Sequence, residues 1–219
     1  MRISSGFLLF DLDGTLVDST QQISNCWRSW AIENNLNPDV VDVLSRGRTA
    51  KETIKLAFAA EAKADVDKLT RDFIQSEIKA TFNLTPIFHS KQLLASLPPD
   101  RWGVVTSATN SLALARLNSA GLPIPKVLVT SELVERGKPS PDGFILAAKL
   151  LSAKPSDCIV FEDSLSGIQA ALAAEMQVIQ VNGNTAVSGV SCSISNFEGV
   201  RVEQDLSSLI VLVEKLVRK

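Results

Sequence analysis

Two pairs of carboxylates stand at the ends of apolar segments in this sequence. Asp11 and Asp13 follow one segment, and Glu162 and Asp163 follow another. Alternate residues at a strand end point to the same side, so Asp11 and Asp13 would repel each other. At a separation of about 4 Å and an effective dielectric constant of about 20, that repulsion costs about 4 kcal/mol. Such a set of acids favours binding of a hard divalent cation, and oxygen ligation with open positions for water and phosphate suits Mg²⁺.

The metal interpretation competes with a structural one. Asp163 or Ser164 could simply cap the helix that follows, and one acidic strand end alone favours that alternative. Carboxylates at two strand ends on the same edge of a sheet would suppress one another's ionisation unless a cation lay among them. The two acidic ends together therefore favour the metal.

Hydroxyl and cationic side chains could bind a phosphoryl group beside these acids. Thr106 and Ser107 follow a third apolar segment and precede a predicted helix, where a hydroxyl and free backbone N–H groups can hold phosphate. A serine or threonine at such a position is also an ordinary helix cap. Lys138 stands between Gly137 and Pro139, and a fixed backbone suits a point charge that faces a phosphoryl group. The alternative is a solvated loop lysine.

The elements that must position these residues are predicted from the hydrophobic pattern. Short apolar runs alternate with helical stretches at about residues 109–120 and 165–176. Strands that are apolar on both faces and alternate with helices indicate a parallel sheet covered on both sides. Substrates of such sheets bind at the carboxyl ends of the strands. The predicted fold class is therefore α/β. The predicted strands are residues 7–10, 102–106, 126–129, 158–161 and 178–181.

The stretch after the first predicted strand breaks this alternation, because its periodicity is helical throughout. Ser19 or Asp18 could cap the first of its helices. Trp27 and Trp30 fall on one face of that helix, and we expect them to pack in the interior of the inserted helices rather than to stack on a sugar. The predicted domains are an α/β core of residues 1–17 and 86–219 and a helical cap domain of residues 18–85.

Composition excludes several classes of protein. The 219 residues carry a formal net charge of −2 and 45% hydrophobic side chains, which argues against nucleic-acid binding and against disorder. The longest apolar runs, such as residues 209–213, are too short to span a membrane. The three cysteines are widely spaced and indicate free thiols in a reducing compartment. We expect a cytoplasmic protein without nucleic-acid or membrane partners, of a size compatible with a monomer.

Taken in order, the chemical segments resemble the haloacid dehalogenase superfamily of phosphatases over about residues 6–181. The resemblance implies a Rossmann-like, three-layer parallel-sheet core with a small α-helical cap. Within the superfamily, the sequences of these segments are most similar to those of the sugar-phosphate and polyol-phosphate phosphatases. This similarity implies a small phosphorylated molecule as substrate. The matching segments are Asp11-x-Asp13-Gly14-Thr15-Leu16, Thr106-Ser107, Gly137-Lys138-Pro139 and Glu162-Asp163.

The resemblance also implies a role for each matching residue. Asp11 would be the nucleophile that forms an aspartyl-phosphate. Asp13 would protonate the leaving alcohol and then deprotonate the attacking water. Ser107 and Lys138 would stabilise the phosphoryl oxygens, with Thr106 beside them in the substrate site. The implied Mg²⁺ ligands are the Asp11 carboxylate, the Asp13 backbone carbonyl and Asp163, with Glu162 nearby or acting through water.

Two further residues have an open interpretation. Arg48 lies in a segment that resembles the family's cap loop facing the active site, so it could bind a second anionic or polyol group. A helix-terminal arginine that interacts with the helix dipole is an equal alternative. His89 is the one histidine of the chain, and it stands where the family usually has a Pro-Gly pair. We interpret it as a hinge or surface residue.

Three functions remain open at this point. The first is a Mg²⁺-dependent phosphatase of small sugar or polyol phosphates. The second is a sugar phosphomutase similar to β-phosphoglucomutase, which the lack of a histidine soon after the first motif disfavours. The third is a non-catalytic phospho-ligand-binding protein, which would not require both Asp11 and Asp13. A dehalogenase is disfavoured because Asp13, Lys138 and the acidic cluster together suit phosphate and metal.

Overall fold

The computed structural model describes residues 1–59, 65–182, 187–205 and 208–214. Within these ranges strands and helices alternate along most of the chain. The strands are β1 Arg2–Ser5, β2 Phe7–Phe10, β3 Val17–Asp18, β4 Thr85–Pro86, β5 Trp102–Val105, β6 Val127–Val129, β7 Cys158–Glu162, β8 Gln177–Val181, β9 Cys192–Ile194, β10 Val200–Gln204 and β11 Leu209–Val213. The helices are α1 Thr20–Glu33, α2 Pro38–Ser45, α3 Ala50–Ala57, α4 Val66–Ala80, α5 Ser90–Ser96, α6 Asn110–Ser119, α7 Asp142–Leu150 and α8 Leu165–Ala173.

A six-stranded parallel sheet in the order β6-β5-β2-β7-β8-β9 forms the centre of the molecule. Strands β5 and β7 are buried along their whole length, as expected for a sheet that is covered on both faces. The α/β fold class is confirmed. The five predicted strands are all present, with ends that differ from the prediction by one residue at most.

Helices cover this sheet on both faces. In β2, Leu8 and Phe10 pack with side chains of α5 and α6, whereas Leu9 packs with side chains of α7 and α8. This alternation follows from the two-residue period of a strand. The layers are therefore helix, sheet and helix, as the sequence predicted.

A second, three-stranded sheet in the order β1-β11-β10 was not predicted. Its strands pair antiparallel, and Ile3 of β1 lies opposite Val211 of β11. Alternate residues of β11 are buried, which is the pattern of a strand with one covered face. The pairing of β1 with β11 was missed because the two strands lie more than 200 residues apart in the chain, and local periodicity carries no information on such pairing.

Helices α1 to α4 are inserted between β3 and β4, which form a two-stranded ribbon. They enclose an apolar cluster that includes Trp27, Trp30, Ile54 and Phe73. The rings of Trp27 and Phe73 stack with centroids 3.8 Å apart. The expected packing role of the two tryptophans is confirmed. The division of the chain into a core and a cap domain stays a prediction.

None of the helices in the described ranges combines the length and the apolar composition that a membrane crossing requires.

Candidate active site

The ends of β2 and β7 bring the predicted acids together. The two strands are neighbours, and Phe10 pairs with Phe161 in the register of the sheet. Their rings stack with centroids 4.9 Å apart. Because both strands run in the same direction, Asp11 and Glu162 leave the sheet side by side at its carboxyl edge.

Lys138 bridges these two carboxylates. Its Nζ atom lies 2.5 Å from Oδ1 of Asp11 and 2.6 Å from Oε2 of Glu162. All three residues are buried. Burial disfavours the charged form of the lysine, but the two carboxylates outweigh it and raise its pKa. Lys138 is therefore a fixed cation in the site rather than a solvated loop lysine.

Glu162 is held by a full set of hydrogen-bond donors. Its Oε1 atom accepts from the backbone N–H groups of Asp163 and Ser164 and from the Ser164 hydroxyl, while Oε2 accepts from Lys138. The Ser164 hydroxyl also accepts from the Gly167 N–H at 3.1 Å, so the predicted cap of α8 is present as well. With both oxygens engaged, Glu162 orients its neighbours and is suited to act on a metal indirectly.

Asp163 completes an oxygen-rich cluster. One carboxylate oxygen from each of Asp11, Glu162 and Asp163 lies within 4.8 Å of the other two. Gly14 makes room for this cluster, because its φ is 84° and a Cβ atom there would lie 2.2 Å from Oδ2 of Asp163. Oxygen ligands in this number and spacing fit a hard divalent cation such as Mg²⁺.

The electrostatics of the cluster point to the same chemistry. Burial and the neighbouring Glu162 raise the pKa of Asp11 to about 7, although Lys138 opposes the shift. Burial, Glu162 and Asp11 raise the pKa of Asp163 well above its ordinary value. A cation bound between them would favour the ionised forms.

The side chain of Asp13 points to a different set of partners. Its Oδ1 accepts from the Ser19 hydroxyl at 2.6 Å, and its Oδ2 lies 2.7 Å from Nη1 of Arg116. Ser19, one of the two residues predicted to cap α1, stands at its N-cap, but its side chain makes no capping bond there and donates to Asp13 instead. The proposed use of the Asp13 backbone carbonyl as a metal ligand stays a prediction.

Arg116 and its second partner Glu77 were missed by the sequence analysis. Arg116 lies on α6 among Leu112, Ala113 and Leu117, all of which are buried. An arginine on the apolar face of a helix is rarely buried without a partner. The position of Arg116 on the apolar face of α6 could therefore have indicated a buried, paired arginine. It does not indicate which residue forms the pair.

The predicted phosphate-binding residues line one cavity of about 20 Å³. Thr106, Ser107 and Lys138 all contribute to its wall. Thr106 accepts from the Ala108 N–H at 3.1 Å and so shapes the turn into α6. The Ser107 hydroxyl donates to the Gly47 carbonyl oxygen of the inserted helices at 3.2 Å, which places the insertion directly over this cavity.

Arg48 and His89 are accounted for by local structure. The exposed Arg48 donates from Nη1 to the carbonyl oxygen of Leu44, one turn earlier, at 2.8 Å. That bond belongs to the helix-terminal alternative, and the substrate-binding role of Arg48 stays a prediction. His89 precedes α5 with a φ of 66°. This left-handed position at the start of a helix fits the Gly of the family's Pro-Gly pair.

Known proteins resemble this chain over most of its length. A family model described as haloacid dehalogenase-like hydrolase matches residues 8–181. Hexitol phosphatase A of Escherichia coli is 39% identical over 179 residues, which are 81% of this chain and 82% of the relative. A fructose-1-phosphate phosphatase of the same organism is 28% identical over 186 residues, or 80% of this chain and 95% of the relative.

A solved structure supports the fold independently. The crystal structure of CbbY from Rhodobacter sphaeroides, in complex with phosphate, superposes with a TM-score of 0.76 at 21% sequence identity. The match covers 88% of this chain and 95% of that chain.

The chain belongs to the haloacid dehalogenase-like hydrolase family. The expected similarity to the sugar-phosphate and polyol-phosphate phosphatases of that family is confirmed by the relatives. The expected enzyme class, a phosphoric monoester hydrolase, is confirmed with it.

The raised pKa of Asp11 predicts a pH dependence of the metal-free protein. Its pKa is about 7 in the folded protein, against 3.8 as the ordinary value. Between about pH 4 and pH 7 the folded state therefore keeps a proton that the unfolded chain releases, and the free energy of unfolding falls as the pH rises. Urea unfolding in chelator-treated buffer should show this fall for the wild-type protein and a flatter profile for Asp11→Asn.

Asp100→Asn provides the control, because Asp100 is exposed. This variant should show the same change of the free energy of unfolding with pH as the wild-type protein. A stability difference between wild type and Asp11→Asn that is constant across this pH range would show that Asp11 is not perturbed.

Proposed function

We propose that the protein hydrolyses phosphate monoesters of small sugars or polyols, with Mg²⁺ as cofactor and through an aspartyl-phosphate intermediate. The observation that carries this proposal is the bridge from Lys138 to Asp11 beside the oxygen cluster of Asp11 and Asp163. It joins a buried carboxylate, a fixed cation and a set of metal ligands at the carboxyl edge of the sheet. The relatives named as hexitol and fructose-1-phosphate phosphatases support the substrate class.

In the proposed first step Asp11 attacks the phosphorus atom. A bond forms between a carboxylate oxygen and phosphorus, and the bond from phosphorus to the ester oxygen breaks. Asp13 gives a proton to that oxygen, so that the sugar or polyol leaves as a neutral alcohol. In the second step water attacks the aspartyl-phosphate, and Asp13 takes its proton. Inorganic phosphate leaves and the Asp11 carboxylate is restored.

Charge neutralisation is the main task of the remaining residues. Lys138 is already placed against the nucleophile and would interact with a phosphoryl oxygen as the charge develops. The Ser107 hydroxyl, which donates to the Gly47 carbonyl, would donate to the phosphoryl group when substrate is bound. Mg²⁺, held by Asp11 and Asp163 with Glu162 in support, would supply the positive charge that lets an anionic nucleophile approach an anionic phosphate.

We further propose a cytoplasmic enzyme that acts on small molecules and needs no nucleic acid or membrane. Cys26, Cys158 and Cys192 are unpaired, which supports a reducing compartment. The size of the chain is compatible with a monomer.

Phosphate release from a panel of sugar, polyol and nucleotide monophosphates tests the proposal. We expect hydrolysis of sugar or polyol phosphates in the presence of Mg²⁺ and its loss in the presence of a chelator. Because Asp11 is the nucleophile, Asp11→Asn should lower kcat/KM by about three orders of magnitude or more. Asp100→Asn, a change of the same type on the surface, should keep wild-type activity.

Near-normal turnover by Asp11→Asn would refute the covalent mechanism. Conversion of a sugar phosphate to its isomer without release of phosphate would show a mutase instead. Binding of phosphorylated compounds without any turnover would show the non-catalytic alternative.

A second prediction concerns the substrate-binding role of Arg48. If its guanidinium turns from Leu44 to the substrate, Arg48→Ala should raise KM for the preferred substrate several-fold and change KM for p-nitrophenyl phosphate much less. The neighbouring Arg46, which is exposed and pairs with Asp42 at 3.2 Å, provides the control in Arg46→Ala. Equal effects of Arg48→Ala on both substrates would remove Arg48 from the substrate site.

A further inference from the structure

A buried arginine links the second aspartate of the site to the inserted helices. Arg116 of α6 lies 2.7 Å from Oδ2 of Asp13 through Nη1 and 2.7 Å from Oε1 of Glu77 through Nη2. Glu77 belongs to α4 of the insertion. The side chains of Arg116 and Glu77 are 5% and 7% exposed, so this ion pair is shielded from water on both sides.

The contacts leave the Asp13 carboxylate little freedom. One oxygen accepts from Ser19, which is fully buried, and the other accepts from Arg116. Ser19 and Arg116 lie on different elements, so their two bonds fix both the position and the rotation of the carboxylate plane. Glu77 in turn accepts from Nη2, the guanidinium nitrogen that Asp13 does not use.

Stability alone gives a weak reason for such an arrangement. Removing a guanidinium and two carboxylates from water is costly, and apolar side chains of similar volume often serve a protein interior equally well or better. Among the described residues Arg116 Nε has no hydrogen-bond partner either, which adds to the cost of burial. What the charged set supplies is a defined orientation of Asp13.

We propose that Arg116 is a positioning residue for proton transfer by Asp13, and that Glu77 of the inserted helices holds Arg116 in place. The proposal rests on the function proposed above, in which Asp13 protonates the leaving alcohol. It follows that the packing of α4 against α6 determines how well Asp13 is positioned for proton transfer to the ester oxygen. The insertion then contributes to proton transfer in addition to covering the site.

The proposal predicts a dependence on the leaving group. An alkyl alkoxide is a poor leaving group and needs the proton from Asp13, whereas p-nitrophenolate leaves without one. kcat/KM reports the steps up to release of the alcohol and excludes the later hydrolysis of the aspartyl-phosphate. The ratio of kcat/KM for the best alkyl phosphate of the panel to that for p-nitrophenyl phosphate therefore measures how well Asp13 is positioned.

We expect Arg116→Met to lower this ratio by about 30-fold, within the range that general acid catalysis contributes. Arg116→Lys should give a smaller loss, because a lysine can reach Asp13 without the planar fork that also reaches Glu77. Glu77→Gln keeps the size and an acceptor for Arg116, and should lower the ratio by about threefold to tenfold through weaker anchoring. Arg28→Met is the matched control, since Arg28 pairs with Asp39 at the same 2.7 Å on the exposed side of the insertion.

A double-mutant cycle separates positioning from a general loss of structure. In an Asp13→Asn background the residue that Arg116 positions gives no proton, so adding Arg116→Lys should leave the ratio unchanged. A structural role of Arg116 would lower activity on both substrates in either background. If Arg116→Met does not fold, Arg116→Lys and Glu77→Gln decide the question, with urea unfolding as the check on their stability.

Wild-type ratios in both Arg116→Lys and Glu77→Gln would overturn the proposal while leaving the proposed phosphatase intact. A further drop on adding Arg116→Lys to Asp13→Asn would also overturn it. An absence of Asp11-dependent hydrolysis in the wild-type protein would instead remove the proposed function, and this inference with it.

Discussion

The site depends on the placement of one buried cation between two carboxylates from neighbouring strands. Asp11 and Glu162 leave the sheet side by side, where burial and their mutual repulsion raise the pKa of Asp11, and the ion pairs with Lys138 oppose that shift. Lys138 reaches them from the loop that precedes α7. Asp11, Glu162 and Lys138 come from three separate segments of the chain. All three segments therefore have to fold before these charges lie together.

The inserted helices complete this site at two points. The Gly47 carbonyl accepts from the Ser107 hydroxyl above the cavity, and Glu77 holds the arginine that contacts Asp13. The first contact joins the insertion to Ser107, which follows β5, and the second reaches Asp13, which follows β2, through Arg116. The sheet thus positions Asp11, the proposed nucleophile, while the insertion contacts the residues that are proposed to bind the phosphoryl group and to position the proton donor.

The local hydrophobic pattern of the sequence predicted the strands of the parallel sheet and the edge of the sheet at which the site lies. The apolar runs of β2, β5 and β7 marked the strands, and the acids at their ends marked the site edge, because a parallel sheet brings carboxyl ends together. The bond from the Ser19 hydroxyl to Asp13 was not foreseen, since a serine before a helix has the same sequence pattern whether or not its side chain caps the helix. The contact of Arg116 with Asp13 and the pairing of β1 with β11 were beyond this reasoning, because the partners lie 103 and more than 200 residues apart in the chain.

A crystal structure of the full protein with Mn²⁺ in place of Mg²⁺ and with inorganic phosphate would test the central claim most directly. The anomalous signal of manganese locates the ion without reference to the protein atoms. The account predicts one ion bound by carboxylate oxygens of Asp11 and Asp163, with phosphate against Ser107 and Lys138. An ion bound elsewhere, or phosphate bound away from Asp11, would contradict it.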